Sequence, residues 1–304
     1  MIYHQIESFL QQKIGISTGI FGTDGLQKII NERCLAANLS NIEAYWYLLQ
    51  TNAFELNQLI ELIVMPETWF FRDWYPFYFL SDYLTSEWFP ARHSRPLRIL
   101  SVPCASGEEP YSIAMMLINC GMQPSQFIID ALDISQAAIQ IACQGIYTEA
   151  SFRGHNLGAT LEFQRRYFQI IKNIQHEQSK QQEPHATTYY QLDAAIRACV
   201  NFAIANLVDH YFLHETAAYD LVFCRNFLIY LNPEAQQKVI KNIERVLAHQ
   251  GLLFVGHTES NVIIDTGLFT AMRQPLTFVH RKKPASEIYL QTPLKLNPSH
   301  RANV

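Results

Sequence analysis

The segment at residues 99–112 constrains this chain most, because ILSVPCASGEEPYS reads as an apolar strand, a tight small-residue turn and the start of a helix. In an open α/β sheet, a nucleotide-type pocket lies at the carboxyl end of such a strand. The turn contains neither G-x-G-x-x-G nor G-x-x-x-x-G-K-[ST], the two phosphate-binding patterns. Instead, Glu108 and Glu109 stand at the beginning of the helix, where two carboxylates would repel a phosphate. The turn therefore favours a cofactor with a positive charge and no phosphate, such as S-adenosylmethionine.

Composition sets the broad class. The 304 residues are 49% apolar, which is enough to bury a sizeable core. A net charge of −4 provides no broad basic surface, so we expect no nucleic-acid partner. The six cysteines form no C-x-x-C pair and show no zinc spacing, so we predict no metal site. No signal peptide and no apolar stretch of ~18 residues is visible, which favours a cytoplasmic protein without membrane insertion.

The pattern of apolar residues changes along the chain. Residues 1–80 carry apolar side chains at helical spacing and predict an N-terminal all-α domain. Residues 81–283 alternate strands with helices, which predicts an α/β domain with a mostly parallel sheet. Residues 148–199 interrupt this rhythm as an insertion with a polar centre, and residues 284–304 are predicted to be a disordered tail.

Capping residues place several helices. Ser135 is the predicted N-cap of a helix that runs to about Gln144. Pro233 lies at the first turn of a predicted helix over residues 234–248, and Gly251 is expected just past its end. Strands are predicted at residues 98–102, 127–132, 200–204, 221–224, 252–255 and 276–280.

Asp133 ends the second predicted strand. An acid at this position commonly accepts hydrogen bonds from ribose hydroxyls, although an ordinary helix-capping aspartate would also account for it.

A second segment precedes the sheet and reads PETWFFRD at residues 66–73. Its three aromatic residues would be buried, leaving Thr68 and Arg72 one helical turn apart on one face. The same pattern would also suit a structural anchor with a surface arginine.

Two further polar segments follow buried strands. Residues 223–230 read FCRNFLIY, and polar residues such as Arg225 and Asn226 at the end of a strand face the ligand crevice of an open sheet. A satisfied polar pair within the core is the alternative. Residues 256–259 read GHTE, in which His257 is either catalytic or simply hydrogen-bonded.

Together these segments resemble the CheR family, the chemoreceptor glutamate methyltransferases of bacterial chemosensory systems, over about residues 1–283. PETWFFR and the SFRG at residues 151–154 are most similar to the branch typified by WspC, from surface-sensing and biofilm pathways. The resemblance implies a Rossmann-like S-adenosylmethionine-dependent methyltransferase domain. It also implies the N-terminal all-α domain and a small β-subdomain inserted at about residues 148–199.

The resemblance also implies the site residues. Glu108 would lie near the amine of S-adenosylmethionine, and Asn206 and Leu207 would line its adenine side. We expect Arg72 and Tyr230 to hold the methionine end or the incoming carboxylate during catalysis. The full set of implied cofactor-binding residues is Thr68, Arg72, Ala105, Glu108, Asp133, Asn206, Leu207, Arg225 and Asn226.

This sequence departs from the family pattern at two positions. Pro66 stands where the family has an asparagine, and it has no side-chain donor for a cofactor. Ala105 replaces a serine, so only a backbone contact is expected there.

The implied reaction is methyl transfer to the γ-carboxylate of receptor glutamates, with S-adenosylhomocysteine as the product. A glutamate with a pKa of ~4.3 is already the nucleophile at neutral pH, so no general base is required. The implied partners are cytoplasmic helices of a methyl-accepting chemoreceptor, and we expect a monomer. The alternatives are a methyltransferase with another acceptor and, because of Pro66, a catalytically weak cofactor-binding scaffold. The missing glycines disfavour a nicotinamide dehydrogenase.

Overall fold

The computed structural model of the chain describes residues 2–22, 24–64, 67–154, 157–171, 188–214, 216–284 and 286. The predicted tail therefore lies almost entirely outside the described residues, as do Pro66 and the polar centre of the insertion at 172–187.

The N-terminal part is helical, as predicted. It contains α1 (Ile2–Ile14), α2 (Gly25–Ala36), α3 (Ile42–Thr51) and α4 (Ala53–Ile63). The side chains of Asn41 and Asn52 accept backbone N–H bonds at the starts of α3 and α4, which is why these helices begin there. These four helices have a core of their own, which includes Ile6, Leu10, Ile30, Tyr45 and Leu59.

Helix α5 (Tyr75–Tyr83) lies across the predicted domain boundary at residue 80. A π-helical turn, Leu84–Trp88, continues it. Phe77 and Leu80 pack in the core of the sheet rather than in the core of the helical unit. Helix α5 thus continues past residue 80, and the position of the boundary between the two domains stays a prediction.

Strands and helices alternate after α5. The strands are β1 (Leu97–Ser101), β2 (Phe127–Asp133), β3 (Ile146–Thr148), β4 (Phe168–Ile171), β5 (Tyr189–Leu192), β6 (Val200–Ile204), β7 (Tyr219–Phe223), β8 (Leu247–Phe254), β9 (Phe269–Ala271) and β10 (Val279–Lys282). The helices are α6 (Glu108–Asn119), α7 (Gln136–Gln144), α8 (Leu157–Tyr167), α9 (Ala194–Arg197), α10 (Pro233–Val246) and α11 (Ser260–Asp265).

The main sheet has seven strands in the order β6-β2-β1-β7-β8-β10-β9. The first five of these pair in parallel, whereas β10 is antiparallel to both of its neighbours. The predicted α/β fold is thus confirmed. Because β1 lies between β2 and β7, the connections that leave β1 and β7 diverge and open a crevice at their carboxyl ends.

The insertion contributes a small antiparallel sheet in the order β3-β5-β4, which agrees with the β-subdomain implied by the family resemblance. It packs on the segment before the main sheet through aromatic rings. The ring of Phe70 stacks on Phe152 at 5.0 Å and meets the edge of Phe168 at 5.0 Å.

The prediction for Gly251 is wrong. Helix α10 ends at Val246, and Gly251 lies inside β8 rather than just past the helix. The pairing of β7 with β8 shifts register, so that Tyr219 lies opposite Leu247 but Leu221 lies opposite Leu252. A Cβ at Gly251 would lie 3.0 Å from the backbone oxygens of Asp220 and Ala248, so this close approach of the two strands favours glycine.

Candidate active site

A cleft with about 1190 Å³ of empty space, open solvent included, lies between the helical unit and the carboxyl ends of the parallel strands. All the predicted site residues except Glu108 line it: Thr68, Arg72, Ala105, Asp133, Asn206, Leu207, Arg225, Asn226 and Tyr230. The topology thus brings together residues that are up to about half of the chain length apart in the sequence.

Asp133 organises the floor of the cleft. Its Oδ2 accepts the backbone N–H of Ala105 at 2.7 Å, and its Oδ1 accepts that of Ser135 at 2.9 Å. Burial raises the pKa of Asp133, and the hydrogen bonds from backbone N–H groups partly offset this. Each carboxylate oxygen can accept more than one hydrogen bond, so the group retains capacity for hydroxyl donors in the cleft.

The turn after β1 is held from both sides. Gly107 has φ +93°, and a Cβ there would lie 2.8 Å from the Cβ of Ala142, so only glycine fits. On the side of the small sheet, the hydroxyl of Tyr147 donates to the backbone oxygen of Ser106 at 2.8 Å. The backbone N–H of Ala105 already donates to Asp133, so its hydrogen bond is made within the protein.

The two acids at the start of α6 point to different places, because neighbouring helical residues differ by about 100° around the axis. Glu108 is buried beneath the turn, where it accepts hydrogen bonds from the hydroxyls of Ser106 (2.7 Å) and Ser151 (3.1 Å). Burial raises the pKa of Glu108. Glu109 lines the cleft instead. The resemblance implied that Glu108 lies near the amine of the cofactor, whereas the structure does not bring Glu108 to the cleft wall.

Arg225 is almost completely buried and joins three parts of the site. It donates to Glu109 Oε2 at 3.1 Å, to Asp73 Oδ2 at 2.9 Å and to the backbone oxygen of Arg72 at 2.9 Å. Its side chain is 2% exposed, so the two acids neutralise a charge that burial would otherwise disfavour. The end of β7 is thereby fixed to α6 and to the segment before the sheet.

Glu259, in the GHTE segment, fixes the loop that follows β7. Its carboxylate accepts the backbone N–H groups of Asn226 (2.9 Å), Phe227 (2.6 Å), Leu228 (2.7 Å) and Gly256 (2.5 Å). Asn226 has φ +56°, a conformation that costs energy for a residue with a side chain and needs such support.

Sequence reasoning did not assign this role to Glu259. The signal available was an acid placed directly after a strand in GHTE. The neighbouring His257 is exposed, packs edge-on against Phe278 at 4.8 Å and does not line the cleft.

The prediction that Thr68 and Arg72 are one helical turn apart is wrong, because the described residues 67–74 form an irregular turn. The N–H of Phe70 donates to the backbone oxygen of Ser151 (2.8 Å), and that of Phe71 to the hydroxyl of Ser112 (3.0 Å). These long-range bonds replace helical ones. Thr68 and Arg72 nevertheless both reach the cleft.

The helical unit covers the cleft and is tied to the sheet at its rim. Ile16 forms an isolated β-bridge with Leu231, and the N–H of Ser17 donates to the backbone oxygen of Tyr230 at 2.7 Å. The side chain of Asn206 donates to the backbone oxygen of Lys13, the penultimate residue of α1, at 2.7 Å. Tyr230 and Asn206 are thus positioned by contacts between the helical unit and the sheet.

Two kinds of feature are absent from the described residues. Within those ranges, no group of three or more His, Cys, Asp or Glu side chains could hold a metal ion. In the same part of the chain, no helix has the length and apolar character needed to cross a membrane.

Comparison with known proteins gives a consistent picture. A family model described as "CheR methyltransferase, SAM binding domain" matches residues 66–277. The chain is 36% identical over 260 residues to the "Probable biofilm formation methyltransferase WspC" of Pseudomonas putida, covering 86% of this chain and 57% of that protein. It is 36% identical over 280 residues to the protein of that name from Pseudomonas aeruginosa, covering 91% of this chain and 61% of that protein.

A third relative is matched over most of its length. "Chemotaxis protein methyltransferase 2" of Vibrio cholerae is 29% identical over 252 residues, covering 80% of this chain and 81% of that protein. The chain spans about 60% of the length of the two WspC-named relatives. Their similarity confirms the predicted WspC branch.

Proposed function

Because this chain belongs to the CheR methyltransferase family, we propose that it transfers a methyl group from S-adenosylmethionine to glutamate γ-carboxylates of a methyl-accepting chemoreceptor. The single observation that best supports the proposal is the cleft itself. It lies at the divergence of β1 and β7, and the acid that ends β2 forms its floor.

The donor set of the cleft suits a cationic cofactor without phosphate. Asp133 and Glu109 face the cleft, whereas the guanidinium of Arg225 is already engaged by Glu109 and Asp73 and is not offered to a phosphate. S-adenosylmethionine supplies an activated methyl group on a positively charged sulfur when it is bound. In our proposal Asp133 accepts the ribose hydroxyls, and Glu109 rather than Glu108 attracts the amine.

The remaining predicted residues would hold the two ends of the cofactor. Asn206 and Leu207 lie where the helical unit meets the sheet, which suits the adenine side. Thr68 and Arg72 lie on the segment before the sheet, which suits the methionine end. Leu207 is buried and apolar, so it presents a surface on which a base can pack.

The main task of the residues in this chain is to position the acceptor. A glutamate side chain is ionised at neutral pH, so no residue is needed to remove a proton from it. Arg72 donates to the backbone oxygen of Glu67 at 2.6 Å and lies on the Trp69 ring at 4.4 Å, which fixes its guanidinium at the cleft. We propose that Arg72 and Tyr230 hold the reacting groups in line without a tight ion pair, which would weaken the nucleophile.

The biological setting forms part of the proposal. The names of the two WspC relatives favour a pathway of biofilm formation, and the name of the Vibrio cholerae relative favours a chemosensory setting. We propose that the acceptors lie on cytoplasmic helices of the receptor and that the chain acts in the cytoplasm as a monomer.

Label transfer tests the proposed function. The chain is incubated with S-adenosylmethionine tritiated on the methyl group and with receptor-containing membranes, and the washed membranes are then treated with base. Volatile tritiated methanol released by base supports carboxyl methyl esters. Label that resists base indicates a different acceptor group, and membranes without label indicate a cofactor-binding scaffold.

A further inference from the structure

Trp69 lies beside two guanidinium groups from different parts of the chain. Arg72 Cζ lies 4.4 Å from the indole ring and Arg153 Cζ lies 4.7 Å from it. Arg153 belongs to the SFRG segment of the insertion, and the chain packs closely on the indole there. A Cβ at Gly154, whose φ is +128°, would lie 3.0 Å from Trp69 Nε1. The insertion thus places the guanidinium of Arg153 beside the segment that lines the cleft.

Glu67 is the partner of this cation. Arg153 Nη2 lies 3.1 Å from Glu67 Oε1, and Glu67 is one of the residues that line the cleft. The two side chains are 51% and 59% exposed. Ion pairs with this exposure contribute little free energy, so another carboxylate can replace Glu67 at small cost.

The other arginines at the cleft are less available to an incoming anion. Arg225 is buried and engaged by Glu109 and Asp73. Arg72 is half-buried and donates to the backbone oxygen of Glu67. Arg153 combines exposure, a planar group held on an aromatic ring and an exchangeable acidic partner, which are the properties of a carboxylate-recognition residue.

We infer that Arg153 is a substrate-recognition residue, and that a carboxylate of the acceptor protein other than the one that receives the methyl group replaces Glu67 as its partner at the mouth of the cleft. This inference rests on the proposed function, because the carboxylate that Arg153 recognises belongs to the proposed acceptor protein. In the free protein Glu67 occupies the place of this second acceptor carboxylate.

Arg153→Gln tests the assignment, with Arg165→Gln as the matched control. Arg165 is also an exposed arginine of the insertion, so the change in charge is the same. The readouts are the receptor concentration that gives half-maximal methyl transfer, the pelleting of the chain with receptor-containing membranes, and the Kd for S-adenosylhomocysteine. We expect Arg153→Gln to raise the half-maximal concentration and weaken pelleting about fivefold, while the Kd stays as in the wild type. Arg165→Gln should match the wild type in all three.

Glu67→Gln provides a test in the opposite direction. Removing the competing carboxylate should lower the half-maximal receptor concentration and strengthen pelleting. The inference is overturned if Arg153→Gln pellets as the wild type does, or if its Kd for S-adenosylhomocysteine rises as much as pelleting weakens, which would indicate a purely structural role. Pelleting requires no methyl transfer, so a wild type that pellets normally but leaves no base-labile label contradicts the proposed function alone.

Discussion

Asp133 Oδ2 lies 2.7 Å from the backbone nitrogen of Ala105, so the acid that ends β2 holds the turn that ends β1. The hydrogen bond joins neighbouring strands at the point where the sheet opens into the cleft. Because the acid is already fixed by Ala105 and Ser135, it need not reorganise when a ligand arrives. The same carboxylate therefore has a structural role and a proposed binding role.

Asp133→Asn should weaken binding of S-adenosylhomocysteine about tenfold or more, because an amide nitrogen would face one of the backbone N–H donors and the charge would be lost. Isothermal titration calorimetry measures the change. Asp130→Asn is the control, since this residue lies on the same strand but bonds Tyr219 and Asn201 and does not line the cleft. Equal affinities for the wild type and Asp133→Asn would contradict the binding role.

Glu259→Gln should lower both the stability of the protein and its affinity for S-adenosylhomocysteine. The new NH₂ group would lie among backbone N–H groups that now all donate to the carboxylate, at a cost of about 1–3 kcal/mol in the free energy of unfolding. Chemical denaturation and calorimetry measure the two effects. If affinity is unchanged in a destabilised variant, Glu259 does not position the Arg225–Asn226 loop for the cofactor.

Arg72→Ala should lose most methyl-transfer activity, by about a hundredfold, while the protein stays folded. Arg72 is half-buried at the cleft, but its guanidinium donates to the backbone oxygen of Glu67 rather than to a buried acid, so the substitution leaves no buried acid unpaired. Transfer of tritium to receptor membranes gives the rate, and circular dichroism checks the fold. Activity close to that of the wild type would refute the role of Arg72.

The buried Glu108 predicts a pH dependence of stability. Burial raises its pKa in the folded state above the ordinary value of 4.5. Below that value both the folded and unfolded states are protonated, and stability is lost as rising pH ionises the buried group. Glu108→Gln cannot ionise, so its melting temperature relative to the wild type should increase as the pH rises from about 4.5 towards about 7.

Thermal melts across this range measure the difference. Glu234→Gln is a control of opposite sign. Lys238 lowers the pKa of the exposed Glu234, so their ion pair stabilises the wild type as the pH rises. The melting temperature of Glu234→Gln relative to the wild type should therefore fall over the same range. A difference between Glu108→Gln and wild type that does not change with pH would contradict the burial effect.

Much of the fold could be predicted from local signals. The hydroxyl of Ser135 accepts the N–H of Ala138, so a capping residue placed the start of α7 correctly. Pro233 likewise begins α10. Gly251 misled the prediction, because the close approach of β8 to Asp220 depends on a register shift between strands that the sequence does not display.

The candidate site was predictable where residues follow strands and less so where tertiary contacts decide. Asp133 and Arg225 were found because the ends of parallel strands meet at one edge. The choice between Glu108 and Glu109 depends on hydrogen bonds from Ser151 and Arg225, which lie far away in sequence. The irregular turn that presents Arg72 likewise depends on distant bonds to Ser151 and Ser112.

The most direct test of the central claim is calorimetric titration of the purified chain with S-adenosylhomocysteine and, separately, with NAD⁺. A cleft lined by Asp133 and Glu109 that favours a phosphate-free cofactor with a cationic amine should bind S-adenosylhomocysteine, which keeps that amine, at one site per chain and give no heat with the dinucleotide. Saturable binding of NAD⁺, or no binding of S-adenosylhomocysteine, would contradict the account.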